Sequence, residues 1–269
     1  MNERTSRLAG QGAIVTGAGR GIGRVLALTL ADEGAGVVLS GRNEPNLRAV
    51  EEEIRSAGGE AMVIRCDVTR RDQVQNLVKN TVERHGTIDI LVNNAAIHSS
   101  TAPLVKVEEA EWEAVMETNV KGVFLMTQAV LPVMMDRKSG HIIIISSGAG
   151  TPQSRNSVNI PYVVSKWAVE GFRHSMAIQL KPYGIRVNNI APGPTLNDLQ
   201  KSHNTSVERL MTFPGGMRRN EWVADSFRYL VCESEDLTGG HISSPEWERE
   251  HGITRDPISE EEIRAFMAG

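Results

Sequence analysis

The chain has 269 residues, of which 40% are hydrophobic and 23% are charged, and its formal net charge is −4. This composition is that of a globular protein, and the slightly acidic balance leaves no basic footprint for nucleic acid. Two cysteines are too few for a disulfide framework, and no run reaches the roughly 18 apolar residues of a membrane span or of a signal sequence, so we expect a cytoplasmic protein.

Short β-branched runs alternate with helical patterns along most of the chain. The predicted strands are residues 13–16, 36–40, 61–65, 88–92, 141–146 and 185–190, with a weaker one at 239–243. Most of these runs are nearly continuous in Val, Ile and Leu, which is typical of strands buried on both faces of a parallel sheet. An α/β, doubly wound fold is therefore expected, with ligands beyond the carboxyl ends of the strands.

Amphipathic helices are predicted between these strands. The apolar positions recur at three- and four-residue spacing, as a helix with one buried face requires. Thr69 and Asp72 are interpreted as a capping pair that opens the third helix. The first three stripes are Ile22, Leu26 and Leu30, then Leu47, Val50 and Ile54, then Val74, Leu77, Val78 and Val82.

A glycine turn follows the first strand directly. Residues 16–23 read Thr-Gly-Ala-Gly-Arg-Gly-Ile-Gly and then enter a helix. Glycine lets the backbone turn tightly and approach a pyrophosphate, while the helix N-terminus offers oriented N–H groups to the phosphates. A plain turn also needs glycine, but the strand before it and the helix after it favour a dinucleotide site.

Six further motifs follow the later strands in a set order. They are Cys66-Asp67-Val68, Asn93-Asn94-Ala95-Ala96, Thr118-Asn119-Val120, Ser146-Ser147, Tyr162-Val163-Val164-Ser165-Lys166 and Pro192-Gly193. With a glycine turn spaced T-G-x-x-x-G-x-G, the chain resembles the short-chain dehydrogenase/reductase family over residues 8 to 243. The resemblance implies a single-domain Rossmann fold over residues 1–244, whose central, mostly parallel, seven-stranded sheet is flanked by helices. Residues 245–269 form a tail that belongs to this domain or packs on a neighbouring subunit.

Cofactor preference depends on the residues after the second strand. NAD-dependent enzymes carry an acidic residue there for the ribose hydroxyls, whereas arginine accommodates a 2′-phosphate. This chain has Arg42, and Arg20 in the glycine turn can reach the same side; the alternative is that both are solvated surface charges. We expect NADP(H). The resemblance assigns the remaining cofactor contacts to Gly17, Gly21, Ile22, Gly23, Asp67, Val68, Asn94, Ala95, Tyr162, Lys166, Pro192, Gly193 and Thr195.

Tyr162 and Lys166 are four residues apart and share one face of a predicted helix. An ordinary tyrosine has a pKa near 10, and we expect the Lys166 ammonium to lower it, so that Tyr162 acts as general acid in carbonyl reduction and general base in alcohol oxidation. The resemblance adds that Lys166 holds the nicotinamide ribose.

A serine and an asparagine complete the predicted catalytic group. Ser147 is expected to polarise the substrate carbonyl, with Ser146 as the alternative. Asn119 resembles the asparagine that completes a water-linked proton path to the lysine. A non-catalytic NADP-binding regulator of the same fold remains the alternative function, although all four residues are present. A sugar-nucleotide epimerase fits less well, because its glycine turn is spaced differently.

The substrate and the assembly are less well determined by the sequence. Ser147 and Tyr162 are separated by a lengthened polar loop, and the segment 194–217 carries Leu210, Met211, Phe213 and Met217, which we interpret as an apolar lid. His98 follows the asparagine motif, near where substrates enter, and is interpreted as a surface loop residue, with a substrate contact as the alternative. The scattered histidines predict no metal site. The expected partners are a small carbonyl or alcohol substrate and further copies of the chain, as a homodimer or homotetramer, without nucleic acid or membrane.

Overall fold

Seven strands form one wholly parallel sheet in the part of the chain that the computed structural model describes, residues 6–151, 159–196, 205–213 and 215–268. Their order is β3-β2-β1-β4-β5-β6-β7, so the direction of winding reverses between β1 and β4. The predicted doubly wound fold is confirmed, and the sheet is parallel throughout. The strands are β1 Gly12–Thr16, β2 Gly36–Gly41, β3 Glu60–Arg65, β4 Ile90–Asn93, β5 Gly140–Ile145, β6 Ile185–Ala191 and β7 His241–Ser243.

Ten α-helices accompany these strands within the described ranges, and none of them is long and apolar enough to cross a membrane. A π-helical turn, Glu117–Lys121, joins the fourth helix to the fifth. The helices are α1 Gly21–Asp32, α2 Glu44–Ser56, α3 Arg71–His85, α4 Glu109–Met116, α5 Gly122–Arg137, α6 Ile160–Leu180, α7 Val207–Leu210, α8 Val223–Cys232, α9 Ser244–Glu250 and α10 Glu260–Ala268.

Two apolar layers sandwich the sheet. Alternate side chains of β1 enter opposite layers: Val15 packs with α1, α2 and α8, whereas Ile14 packs with α3, α5 and α6. Because every strand of the sheet centre is covered on both faces, its residues are apolar without alternation. This burial explains why the strands can be predicted from the sequence.

The predicted cap of α3 is wrong. The helix begins at Arg71, and its N-cap residue Arg70 makes no side-chain cap hydrogen bond. The Thr69 hydroxyl instead donates to Asp67 Oδ1 at 2.9 Å, and the Thr69 N–H donates to the same oxygen at 3.0 Å. Asp67 therefore organises its own turn, which outcompetes the capping arrangement with Asp72.

The C-terminal tail packs on its own chain. Ile263 of α10 is fully buried in a small apolar cluster with Leu210 of α7 and Met217. The predicted lid residues divide accordingly, because Leu210 and Met217 face this cluster whereas Met211 and Phe213 are exposed. Residues 197–204 and 214 of the predicted lid, and 152–158 of the polar loop, lie outside the described residues.

Candidate active site

The glycine turn lies at the point where the winding of the sheet reverses, after β1. Gly17 has φ +65°, in the left-handed region, and a Cβ there would lie 2.9 Å from Asn94 Nδ2. A Cβ on Gly23 would lie 2.2 Å from the Gly17 carbonyl oxygen. These two positions accept only glycine, so the turn keeps its backbone open toward the crevice between β1 and β4.

Asn94 fastens this turn to the end of β4. Its Nδ2 donates to the carbonyl oxygens of Thr16 at 2.8 Å and Gly17 at 3.2 Å. The Thr16 hydroxyl accepts from the N–H groups of Asn94 and Ala95, each at 3.0 Å. The predicted cofactor residues of two strands are thus one hydrogen-bonded unit.

Two predicted cofactor residues lie beyond the ends of β2 and β3. Arg42 directly follows β2 and is exposed, with no carboxylate at the strand end. Asp67 follows β3 and is half-buried, while its neighbour Val68 is buried against Gly122. Arg20 is the exposed N-cap residue of α1, on the same edge of the sheet. These residues lie beyond the ends of β2 and β3 and at the start of α1, on the edge of the sheet that carries the glycine turn.

The helix α6 carries Tyr162 in its first turn and Lys166 one turn later, and both are buried, with 9% and 4% of their surface exposed. Lys166 Nζ donates to the Ile145 carbonyl at 2.8 Å and lies 5.4 Å from the centroid of the Tyr162 ring. The Ser147 side chain, beyond the end of β5, lies close enough to Tyr162 to lower the pKa of its hydroxyl. The structure therefore brings Ser147, Tyr162 and Lys166 together.

The pKa values of this group differ from the sequence-based expectation. Burial raises the pKa of Tyr162 to about 12, and the hydrogen bond from Ser147 offsets only part of that effect. Burial also lowers the pKa of Lys166 to about 8, which the negative charge of Glu170 partly opposes. The expected lowering of the Tyr162 pKa by Lys166 is wrong for this structure, since the Lys166 ammonium is directed at Ile145 and lies over the tyrosine ring.

Asn119 is held in the π-helical turn between α4 and α5. Its Oδ1 accepts from the Ile97 N–H at 2.8 Å, and its Nδ2 donates to the Ile97 carbonyl at 2.9 Å and to Ser165 Oγ at 3.0 Å. The Ser165 hydroxyl in turn donates to the Tyr162 carbonyl at 2.7 Å. Asn119 therefore clamps the loop after β4 to α6 rather than contacting Lys166 directly.

The segment after β6 lies at the same carboxyl edge of the sheet, separated from the glycine turn by β4 and β5. Gly193 has φ +86°, and the Pro192 carbonyl accepts from Arg218 Nε at 3.1 Å. Thr195 is buried and pairs with Arg218 through a parallel bridge. Arg218 also forms a buried bidentate ion pair with Glu248 of α9, with both contacts at 2.8 Å. The predicted residues Pro192, Gly193 and Thr195 are thus positioned by the C-terminal tail.

Two residues of the loop after β4 lie next to Tyr162, and the sequence analysis considered only the first of them. The His98 ring lies 4.1 Å from the Tyr162 ring, centroid to centroid, with 30° between the planes, so His98 borders the candidate site. The Ser99 hydroxyl accepts from the Tyr162 N–H at 3.4 Å. Ser99 was missed in the sequence, and its place directly after His98 is the signal that could have found it. No group of three or more His, Cys, Asp or Glu side chains suited to a metal ion occurs among the residues described.

The family is decided by comparison with known proteins. A model of the short chain dehydrogenase family matches residues 11–208, which is more than half of the chain. The chain belongs to the short-chain dehydrogenase family. The predicted family resemblance is confirmed, while the tail that positions the Pro192–Thr195 segment lies beyond the matched residues.

Relatives and solved structures agree with this assignment. The 3-oxoacyl-[acyl-carrier-protein] reductases of Synechocystis and Staphylococcus epidermidis are 38% and 40% identical, over 84% and 86% of this chain and 91% and 95% of theirs. A short-chain type dehydrogenase/reductase from Mycobacterium marinum superposes with a TM-score of 0.83 at 35% identity, covering 89% of this chain and 95% of its own. A gluconate 5-dehydrogenase from Burkholderia cenocepacia, in complex with NADP and tartrate, superposes with a TM-score of 0.81 at 32% identity. The match covers 89% of this chain and 95% of the gluconate 5-dehydrogenase chain.

Proposed function

We propose that this short-chain dehydrogenase is an NADP(H)-dependent oxidoreductase that interconverts a ketone or aldehyde and the corresponding alcohol, with Tyr162 as general acid and base. The observation that carries the proposal is the contact of Tyr162 with Ser147 and Lys166 beside the glycine turn. Buried ionisable groups with shifted pKa values, gathered at the carboxyl edge of a parallel sheet, are typical of catalytic sites.

The crevice fits a dinucleotide phosphate. The turn from Gly17 to Gly23 presents backbone where any Cβ would collide, as a pyrophosphate site requires. Arg42 and Arg20 supply guanidinium groups for a 2′-phosphate, which their fork geometry suits. When bound, NADPH supplies the hydride. We assign the adenine and ribose side to Asp67, Val68, Asn94 and Ala95, and the opposite wall to Pro192, Gly193 and Thr195.

The side chains of α6 handle the proton. With a pKa of about 12, Tyr162 is protonated at neutral pH and can donate its proton to the substrate oxygen during reduction. Ser147 hydrogen-bonds the same oxygen and stabilises the charge that develops on it. Lys166, buried beside the ring, holds the nicotinamide ribose, and Asn119 keeps the loop after β4 in place.

For the substrate we propose a ketone, with 3-oxoacyl thioesters as the first class to assay. The relatives that are 38–40% identical carry that activity in their names. The apolar side chains at the lid, the exposed Met211 and Phe213 among them, suit an acyl chain. Free thioesters and thioesters on an acyl carrier protein should be compared, since the carrier protein would then be a partner.

Tyr162→Phe tests this function. The substitution removes the transferable proton and preserves the ring, so turnover should fall by about 10²–10⁴-fold, with little change in NADPH affinity. Tyr183→Phe is the matched control, because Tyr183 lies at the end of a 3₁₀ turn after α6 and is exposed; its turnover should equal that of the unaltered protein. Turnover is measured by nicotinamide absorbance and NADPH binding by titration.

Two results would contradict the proposal. If Tyr162→Phe keeps most of its turnover on a good substrate, Tyr162 is not the proton donor. If the unaltered protein binds NADPH but reduces no member of a broad ketone and aldehyde panel, the non-catalytic regulator is the better description.

A further inference from the structure

Glu170 continues the catalytic face of α6. Tyr162, Lys166 and Glu170 are spaced four residues apart, so they lie on one side of the helix, one turn after another. Each contacts a different residue at the end of β5. The β5 partners of these three side chains are, respectively, Ser147, the Ile145 carbonyl and the Ser146 hydroxyl.

The Glu170 carboxylate is fixed from several sides. Ser146 Oγ donates to Glu170 Oε1 at 2.5 Å, and His241 Nδ1 lies 2.8 Å from the same oxygen. Arg173 Nε donates to Oε2 at 3.1 Å and the Arg173 guanidinium also reaches the Gly239 carbonyl. The carboxylate therefore ties α6 to the end of β5 and to the start of β7.

This environment keeps Glu170 ionised. Burial alone would raise its pKa, but hydrogen bonds from His241, Ser146 and Asn189 outweigh burial and lower the pKa to about 2. The titratable and charged groups that face it are Lys166 and Arg173 on α6 and His241 on β7. The negative charge of Glu170 in turn raises the pKa of the buried Lys166 and so partly offsets the effect of burial.

We propose that Glu170 is a positioning residue for the reaction: its carboxylate, held by Ser146 and His241, fixes the end of β5 against α6 and places a negative charge one helical turn from Lys166. The inference rests on the proposed function, because a charged Lys166 matters to the reaction through the ribose that it is proposed to hold. It also settles the use of Ser146, whose hydroxyl serves Glu170 while that of Ser147 serves Tyr162.

Glu170→Gln and Ser146→Ala separate the two parts of this role. Glu170→Gln keeps the size of the side chain and one acceptor oxygen for Ser146, but it removes the charge and the acceptor for Arg173. The pKa of Lys166 should therefore fall, and the alkaline limb of the kcat/KM profile for reduction should move to lower pH. Ser146→Ala keeps the charge and loosens the contact, so kcat should fall at all pH values, by less than the roughly 10²-fold that a 1 Å misplacement costs.

The control is Glu51→Gln. Glu51 is a buried carboxylate in α2 with ion pairs to Arg48 and Arg55, away from the site. The Glu51→Gln variant should change neither the alkaline limb of the kcat/KM profile nor the pKa of Lys166, even if its stability falls. The pKa of Lys166 is read directly from the pH dependence of its side-chain NMR signal in the protein without cofactor, so this readout does not depend on turnover.

The outcomes are distinct. A Glu170→Gln protein that folds, yet keeps both the Lys166 pKa and the alkaline limb of the unaltered protein, overturns the proposal and leaves Glu170 a structural residue. If Glu170→Gln does not fold, an unchanged kcat in Ser146→Ala overturns it. If the Lys166 pKa falls in Glu170→Gln while the unaltered protein reduces no carbonyl, the proposed function fails and the control of Lys166 by Glu170 stands.

Discussion

The buried charge of Lys166 destabilises the folded protein. Burial lowers the pKa of Lys166 from 10.5 to about 8. Below pH 8 Lys166 is charged in both the folded and the unfolded chain, and burial makes that charge less favourable in the folded one. Between pH 8 and 10.5 the unfolded chain binds more protons than the folded one, and this residue's contribution to stability therefore rises with pH across that window. At pH 7 the full cost is present, on the order of 3 kcal/mol.

Lys166→Met removes this charge and keeps most of the apolar stem. We expect the free energy of unfolding at pH 7 to rise by about 1–3 kcal/mol, less than the full cost because the hydrogen bond to Ile145 is lost, while turnover disappears. Denaturant titration and a nicotinamide assay measure the two effects. A variant less stable than the unaltered protein at pH 7 would show that the buried ammonium is fully compensated.

Arg42 decides the cofactor in our proposal. Charge-assisted hydrogen bonds contribute about 1.5–3 kcal/mol each, so Arg42→Asp should weaken NADPH binding by about tenfold or more and place a carboxylate where it can accept from the ribose of NADH. Arg84→Asp is the control, since Arg84 is an exposed arginine near the end of α3 paired with Glu60. Fluorescence titration with each cofactor checks the shift. Equal affinity of the unaltered protein for NADPH and NADH would refute the assignment.

At the scale of elements, the sequence predicts the sheet well and the local contacts less well. Every predicted strand is present within two residues, because strands buried on both faces read as continuous apolar runs. The turn around Asp67 was mistaken because two polar side chains compete for the same backbone groups, and the π-helical turn at Asn119 has no periodicity of its own. Such choices depend on neighbours that are distant in the chain.

The same distinction holds in the candidate site. Ser147, Tyr162 and Lys166 could be predicted to meet because two of them share a helix face and the third ends a neighbouring strand. The stacking of His98 on Tyr162 and the contact between Glu170 and Ser146 could not, because both depend on how a loop or a strand end lies against α6. The direction of the Tyr162 pKa shift was mistaken for a related reason: burial, which the sequence does not quantify, is its largest cause.

The tail is the least expected element, and we propose that it is an integral part of one domain. Ile263 is fully buried among Leu210 and Met217, in a cluster separate from the two layers that cover the sheet. Ile263→Asp should therefore loosen the lid while most of the core remains packed. The Michaelis constant of the Ile263→Asp variant for the carbonyl substrate should rise, because a loosened lid holds the substrate less firmly. We expect a rise of about tenfold or more, which corresponds to the loss of a buried apolar contact of about 1.5–3 kcal/mol.

Ala265→Asp is the control for the lid prediction. Ala265 lies on the exposed side of the same helix, so the same charge there should leave the Michaelis constant unchanged. NADPH affinity should be unaltered in Ala265→Asp and should change less than substrate affinity in Ile263→Asp, because the glycine turn and Arg42 lie away from the cluster that holds Ile263. If Ile263→Asp weakens NADPH binding as much as substrate binding, the tail supports the whole fold rather than the lid.

At the scale of the molecule, the helices α4, α5 and α6 leave large apolar side chains in solvent. Trp167 is 45% exposed and Ile178 is 66% exposed, both on α6. Several large apolar side chains left in solvent on neighbouring helices are typical of a protein–protein interface in soluble proteins. The exposed apolar side chains on the three helices are Trp112, Phe124, Val164, Trp167 and Ile178.

We expect these helices to pack against further copies of the chain in a homodimer or a homotetramer. Light scattering of the unaltered protein at micromolar concentration should therefore report two or four subunits. Trp167→Glu places a charge in the proposed contact, where burying it unpaired is costly, and should shift the protein toward the monomer. Met211→Glu is the control, because Met211 is equally exposed but belongs to the lid, and it should leave the assembly unchanged.

Assembly should also affect the chemistry, because the same helix serves both. Trp167 follows Lys166 directly, so the outer side of α6 faces the proposed partner while its inner side carries Tyr162 and Lys166. A monomer loses the packing that holds this helix against the end of β5, and misplacement of catalytic groups by about 1 Å can cost 10²-fold in rate. The Trp167→Glu monomer should therefore retain NADPH binding and lose turnover, and raising protein concentration should restore both assembly and rate together. A monomeric unaltered protein with full activity would contradict the assembly and its coupling to α6.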